Sequence, residues 1–272
     1  MADKSSAPVS AAFAGRAARE FDAVVFDMDG VVTRTAAVHS LAWKRMFDEF
    51  LRTYAAAHRV PFREFTHEHD YLSYVDGRPR YQGVATFLAS RGIDLPLGNP
   101  DDSPTAQTVC GLGNRKNEFF NQVLESEGVG IYESTIALIG ELRDRGIKVG
   151  LATSSRNAAL VLERSHTAHL FATVVDGIVS SQLGLRGKPE PDIFLTAARN
   201  LGVPANRTLV VEDAVSGVQA GARGGFGLVI GLARENNEAE LRANGANLVV
   251  RDLAETSLEE INRLVRAQRA GV

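Results

Sequence analysis

Val24-Val25-Phe26-Asp27-Met28-Asp29-Gly30-Val31-Val32-Thr33 runs a short apolar stretch into two carboxylates spaced two residues apart. Val24, Val25 and Phe26 are β-branched or aromatic and too few for a helix core, which predicts a strand buried on both faces of a parallel sheet. Ligands of such sheets sit beyond the carboxyl ends of the strands, where Asp27 falls. Side chains at i and i+2 of an extended chain point the same way, so Asp27 and Asp29 can face one site, and Gly30 lets the backbone turn away. A calcium loop needs glycine at its sixth position and glutamate at its twelfth, whereas here Gly30 is fourth and Val38 is twelfth. A surface turn rich in aspartate is the alternative on these ten residues alone.

The 272 residues are enough for two domains. An apolar share of 44% and a charged share of 23% are those of a globular enzyme and exclude wholesale disorder. A net charge of -3 gives no basic field for nucleic acid or an anionic membrane, so any bound phosphate must be met by a few placed cations. Cys110 is the only cysteine and lies in a Gly/Pro-rich stretch without a nearby histidine, which excludes an intrachain disulfide, argues against a catalytic thiol and fits a cytoplasmic setting. No run approaches the roughly 18 apolar residues of a membrane helix, so a soluble protein without a membrane partner is expected; a monomer is the expectation for its assembly. Residues 1–20 are expected to form a flexible tail, since their Ala and Ser make no apolar stretch of signal-peptide length.

Beyond Thr33 the period changes. Val38, Leu41, Ala42, Met46, Phe50, Leu51 and Tyr54 predict an amphipathic helix to about His58, with Trp43 on or beside its apolar face. A second helix is expected over 81–90 and a third over 114–127, with 95–113 too rich in Pro, Gly and Asp to form an element. Gly128-Val129-Gly130 reads as a hinge. The segment 35–130 is therefore an all-helical insertion after the first strand. From Ser134 helix and strand alternate, as in a parallel sheet with crossover helices. A core made of 21–34 and 131–272 follows.

Three later strand ends carry polar chemistry. Ile147 to Ala152 opens into Thr153-Ser154-Ser155-Arg156-Asn157, where hydroxyls and free N–H groups at a helix start favour phosphate over a plain N-cap. A short strand around Val174-Val175 leads through a glycine-rich loop to Gly187-Lys188-Pro189-Glu190-Pro191-Asp192, which holds Lys188 on a rigid turn before a helix, as a candidate counter-ion. Thr208-Leu209-Val210-Val211 ends in Glu212-Asp213, and oxygen-only ligands on hard turns suit Mg²⁺. Ser257 and Glu260 form a capping box for the last helix. His67 and His69 stand among acids and read as solvated rather than as a zinc site.

FDMDG, ATSS, GKPEPD and VVEDAVSG, in this order at strand ends, resemble the signature of the haloacid dehalogenase superfamily over nearly the whole chain after Phe21. DMDGVVTRTAAVHSLAWK, DGRPRYQGV, RKNEFF and KPEPDIF extend the resemblance to its β-phosphoglucomutase-like subfamily, a Rossmann-like parallel sheet with an inserted helical cap. Arg34 departs from a commonly acidic position, and the loop 92–113 looks longer than usual. The resemblance implies that Asp27 is the nucleophile and Asp29 the general acid/base. It places Mg²⁺ on Asp27, the Asp29 carbonyl and Asp213, with Glu212 binding directly or through water. Thr153 and Lys188 would hold the transferring phosphoryl group, while Ser154, Ser155, Arg156 and Asn157 meet the rest of the substrate. Thr35, His39, Trp43, Gly77, Arg78, Arg80 and Lys116 match substrate-side or closure positions on the cap. A closed, dry site and neighbouring charge are expected to keep Asp29 protonated for donation. The activity implied is a mutase interconverting β-D-glucose 1-phosphate and glucose 6-phosphate; a sugar-phosphate phosphatase using the same core is the alternative.

Overall fold

A computed structural model describes residues 19–271 of the chain. The expected N-terminal tail therefore lies almost wholly outside the described residues. Strands β1 (Ala23–Phe26), β2 (Lys148–Ala152), β3 (Thr173–Val175), β4 (Thr208–Glu212), β5 (Leu228–Leu232) and β6 (Leu248–Val250) form one parallel sheet in the order β3-β2-β1-β4-β5-β6. The opening motif thus supplies a central strand. Its alternate side chains serve two cores, Val24 and Phe26 packing on one face, Ala23 and Val25 on the other, all at most 2% exposed. Register pairs Phe26 with Leu151 and with Val211, so the three polar strand ends emerge side by side at one edge.

Between β1 and β2 the chain forms helices α1 (Ala36–His58), α2 (Leu72–Tyr74), α3 (Arg80–Ser90), α4 (Val109–Glu127) and α5 (Glu133–Asp144). The first four belong to the inserted helical cap. Phe47 stacks with Trp43 and Phe65 and meets Phe87, giving the cap its own aromatic centre. Leu41, expected on the buried face, is 57% exposed, and Trp43 takes the inner position at 5%. The crossovers are α6 (Ala158–Arg164), α7 (Gly177–Gln182), α8 (Asp192–Asn200), α9 (Val215–Arg223) and α10 (Glu238–Ala243), and the last described helix is α11 (Leu258–Ala270).

Two expectations change. Helix α4 begins at Val109, because the Thr108 hydroxyl caps the Gly111 amide, and Gly111 and Gly113 lie inside the helix rather than in a loop. Both glycines mark close packing, since a Cβ on Gly111 would lie 2.4 Å from the Ala106 carbonyl oxygen and one on Gly113 2.8 Å from Tyr81. Glycine there reports contact, not disorder. The loop before α4 is tied down by Asp102, which accepts from the Asn99 amide and the Thr108 hydroxyl. Second, 177–182, expected to be a glycine-rich loop, is helical because Asp176 caps the Ile178 and Val179 amides. At the chain's end Ser257 caps the Glu260 amide, while the Glu260 carboxylate pairs with Arg263, so half of the anticipated capping box forms.

Two linkers join cap and core, and they pair with each other. Thr33 bridges Ile131 in antiparallel fashion, Arg34 donates its amide to Gly130, and Tyr132 donates to Val32. The guanidinium groups of Arg34 and Arg234 lie 4.7 and 3.8 Å from the Tyr132 ring. Arg34, the departure noted in the sequence, thus sits at the linker crossing and is absent from the catalytic cavity lining.

Candidate active site

Asp27 continues the β1 ladder, its amide donating to Val211, before the chain turns sharply. The amides of Val31, Val32 and Thr33 all point at the Met28 carbonyl, and Gly30, at φ 78°, allows the reversal. Gly30 also makes room: a Cβ there would lie 1.7 Å from Asp213 Oδ2. The two acidic strand ends are therefore pressed together over one glycine.

Lys188 is 1% exposed and bonds Asp27 Oδ1 at 2.6 Å and Glu212 Oε1 at 2.5 Å. Burial pulls the ammonium down, but Asp27 and Glu212 together outweigh it and hold the lysine above its ordinary value. Burial pushes the Asp27 carboxyl up to about 8 against the pull of Lys188, with Glu212 and Asp29 adding to the rise. Asp213 is driven well up by burial and by Glu212, Asp76 and Asp27. Asp76 rises to about 7 through burial and Glu212. Four carboxyls thus share one buried lysine.

That imbalance suits a divalent cation, and the nearby donors are oxygens alone, as a hard ion such as Mg²⁺ requires. Among the described residues no three His, Cys, Asp or Glu side chains close into a protein-only cage. Mg²⁺ needs none, because it keeps waters and takes a phosphate oxygen alongside one or two carboxylates. Asp27, the Asp29 carbonyl and Asp213 fit it. Glu212, expected on the metal directly or through water, has a partner on each oxygen: Oε1 accepts from Lys188 and Oε2 from the Ala214 amide, and the side chain is absent from the cavity lining. It fixes the lysine.

Asp29 has a different environment. The Thr35 hydroxyl bonds Asp29 Oδ1, and His39 Nε2 faces the same oxygen at 3.4 Å, an ionic distance without hydrogen-bond alignment. On its other side His39 Nδ1 lies 2.5 Å from Lys116 Nζ, and its ring stacks on Phe120. Burial raises Asp29, as anticipated, but His39, Thr35 and Lys116 together hold it below the usual carboxylate value. Contrary to expectation, the cap favours the ionised form, ready to accept a proton. His39 itself is held down by burial and Lys116, against the pull of Asp29. Thr35, expected near substrate, is 1% exposed and outside the cavity lining, so it acts through Asp29.

The cavity between cap and core is lined from both sides, including Asp27, Asp29, Lys188, Thr153 and Asp213 from the core and Trp43 from the cap. His39, Gly77, Arg78, Arg80, Lys116, Ser155, Arg156 and Asn157 also reach it. The polar loop after β2 partly caps itself: the Thr153 hydroxyl accepts from the Ser155 amide, and the Ser155 hydroxyl from the Asn157 amide. Ser154, expected to contact substrate, lines the cavity and donates its hydroxyl to the Gly77 carbonyl, and Ser216 donates to the Asp76 carbonyl, so both tie core to cap. Lys116 is 3% exposed and lies 5.0 Å from the Trp43 ring.

Three residues were missed by reading the sequence. Asn117 Oδ1 accepts from both Arg80 and Asn157, at 2.7 and 2.8 Å, and so joins the cap cation to the core loop. Asp76 and Tyr71 line the cavity. Adjacency was the available signal, since Asn117 follows Lys116 and Asp76 precedes Gly77.

Known proteins resemble this chain along most of its length. The family described as haloacid dehalogenase-like hydrolase matches residues 21–225. A β-phosphoglucomutase of Mycobacterium bovis is 42% identical over 236 residues, covering 86% of this chain and 90% of that protein. One of Bacillus subtilis is 31% identical over 245 residues, covering 87% and 92%. The crystal structure of a β-phosphoglucomutase from Clostridium difficile superposes with a TM-score of 0.70 at 23% identity, covering 92% of this chain and 99% of that one, which supports the fold.

Proposed function

The chain belongs to the haloacid dehalogenase-like hydrolase family, and on that footing we propose that it is a Mg²⁺-dependent mutase interconverting β-D-glucose 1-phosphate and glucose 6-phosphate. The observation that carries this reading is a cationic group on the cap, Arg80, lining the same cavity as Asp27 and bonded through Asn117 to Asn157. A phosphatase needs one phosphate site; a mutase working through a bisphosphate needs two. We assign residues 35–130 to the cap and 21–34 with 131–272 to the core.

The steps follow from the chain's own groups. Asp27 attacks the phosphorus of a sugar phosphate and forms an aspartyl phosphate as the P–O bond to the sugar oxygen breaks with its electron pair going to that oxygen, while Lys188 offsets the repulsion between two anions. Mg²⁺ would supply further charge neutralisation between carboxylate and phosphate. Asp29, held ionised by Thr35 and His39, takes the proton from the sugar hydroxyl that attacks next and returns it to a leaving oxygen in the other direction. The bisphosphate turns over with its second phosphate at Arg80, whose planar fork suits phosphate oxygens. The family description also favours a phosphatase, in which water replaces the sugar hydroxyl.

Arg80→Ala is expected to slow mutase turnover about tenfold or more, because a lost charged contact is worth roughly 1.5–3 kcal/mol. Acetyl phosphate hydrolysis should change far less, since it uses the core alone. Equal losses in both assays, or none in either, would move the assignment to the phosphatase. Chelation should stop activity and Mg²⁺ restore it, while Ca²⁺ should leave the enzyme nearly inactive because its larger, looser shell misplaces the phosphate. Full turnover in Ca²⁺ alone would contradict the assigned site.

A further inference from the structure

Cap and core meet at two glycines. Gly77, on the cap, sits at φ 69°, and a Cβ there would lie 2.3 Å from Ser216 Oγ, so a side chain would bring strain as well as a clash. Gly187, on the core just before Lys188, is not in the left-handed region. The three atoms nearest to a Cβ built on it all belong to the cap: Pro79 Cγ at 2.3 Å, Pro79 Cδ at 2.7 Å and Gln82 Oε1 at 2.9 Å. The Gln82 amide can swing aside. The Pro79 ring cannot bend away, because it is closed onto its own backbone.

A methyl group at 187 therefore conflicts first with a seated cap. To relieve it Pro79 must withdraw, and with it Arg80, the first residue of α3. A cavity of about 210 Å³ adjoins this contact, lined among others by Pro79, Gly187, Ser180 and Ile193, and shares Arg80, Ser154, Arg156 and Lys188 with the catalytic cavity. Loosening the contact gives water a short path to Asp27.

We propose that Gly187 is a positioning residue that decides whether the phosphoryl group on Asp27 passes to a sugar hydroxyl or to water, by letting Pro79 seat against the core. The products named here rest on the mutase reading above. In transfer, the sugar oxygen forms the new O–P bond, the P–O bond to Asp27 breaks with its electron pair returning to the carboxylate, and the hydroxyl proton goes to Asp29. In hydrolysis a water oxygen forms the O–P bond instead, its proton also goes to Asp29, and inorganic phosphate leaves. The bonds broken are the same, so the outcome turns on which oxygen the closed cavity admits.

The test compares Gly187→Ala, Pro79→Ala and the double variant with the parent, scoring glucose 6-phosphate and inorganic phosphate from β-glucose 1-phosphate with Mg²⁺ and a trace of bisphosphate. Gly187→Ala should raise phosphate released per glucose 6-phosphate formed by about tenfold or more, and Pro79→Ala in the same chain should bring the ratio back to within about threefold of the parent. A second readout needs no sugar. Trp43 is the only tryptophan and lines the cavity, so its quenching by acrylamide reports opening. With Mg²⁺ and beryllium trifluoride on Asp27 the parent and the double variant should resist quenching, and Gly187→Ala should not. An unchanged product ratio together with unchanged quenching in Gly187→Ala overturns the proposal, and so does a loss that removal of the Pro79 ring fails to rescue. If the parent makes no glucose 6-phosphate, the mutase reading falls, and the quenching series alone decides on Gly187.

Discussion

Asp27→Asn is expected to abolish turnover, with a loss of at least about 10⁴-fold in both mutase and phosphatase assays, because an amide neither attacks phosphorus nor ligates Mg²⁺ well. Folding should survive. Asparagine has nearly the same shape, its oxygen can still accept from Lys188, and Lys188 keeps Glu212. Burial raises Asp27 to about 8, so its ionised form opposes folding at neutral pH in the metal-free protein. The sign follows from linkage: a carboxyl whose folded value exceeds its unfolded value loses stability as pH climbs through that range. The metal-free variant should therefore melt no lower than the parent at pH 7. Thermal melting with a paired activity assay checks both halves. Retained turnover would mean another nucleophile.

Asp29→Asn should separate the two half-reactions. Acetate is a weakly basic leaving group, so transfer from acetyl phosphate to Asp27 needs no proton and should persist. Release of that phosphoryl group to a hydroxyl or water needs the base, and general base catalysis is worth about 10²–10⁴-fold. The variant should thus accumulate phosphorylated protein, visible by intact mass, while mutase turnover falls by about three orders of magnitude. Thr35 can still donate to the asparagine oxygen, which keeps the turn intact. A near-normal mutase rate, or no phosphoprotein from acetyl phosphate, would remove Asp29 from this role.

The core was legible because its chemistry sits at strand ends, where local pattern and tertiary position coincide. β1, β2 and β4 each read as a short apolar run closing on polar residues, and parallel register brings those ends to one edge. The cap was legible as helix but not as contact. Leu41 and Trp43 stand two residues apart on α1, and hydrophobicity alone did not say that the indole faces the cavity while the leucine faces outward. Gly111 and Gly113 carried the signature of a loop, yet tight packing against Ala106 and Tyr81 required them inside a helix. Propensity was overridden by close approach. Within the site, the identities of Asp29, Glu212 and Ser154 were readable, but their neighbours were not. Thr35 and His39 set the protonation of Asp29, Lys188 and the Ala214 amide occupy Glu212, and the Gly77 carbonyl takes the Ser154 hydroxyl. Each of those contacts joins residues that only folding brings together, except the Glu212 bond to Ala214, two residues on.

The most direct test of the account is product partition in the unmodified protein. Each anomer of glucose 1-phosphate is incubated with Mg²⁺ and a trace of glucose 1,6-bisphosphate, and glucose 6-phosphate and inorganic phosphate are followed together by ³¹P NMR. The proposed mutase, with one phosphate at Asp27 and the other at Arg80, should convert the β anomer to glucose 6-phosphate while releasing phosphate in fewer than about one turnover in a hundred, and should leave the α anomer largely untouched. Stoichiometric release of phosphate with no glucose 6-phosphate from either anomer would contradict it.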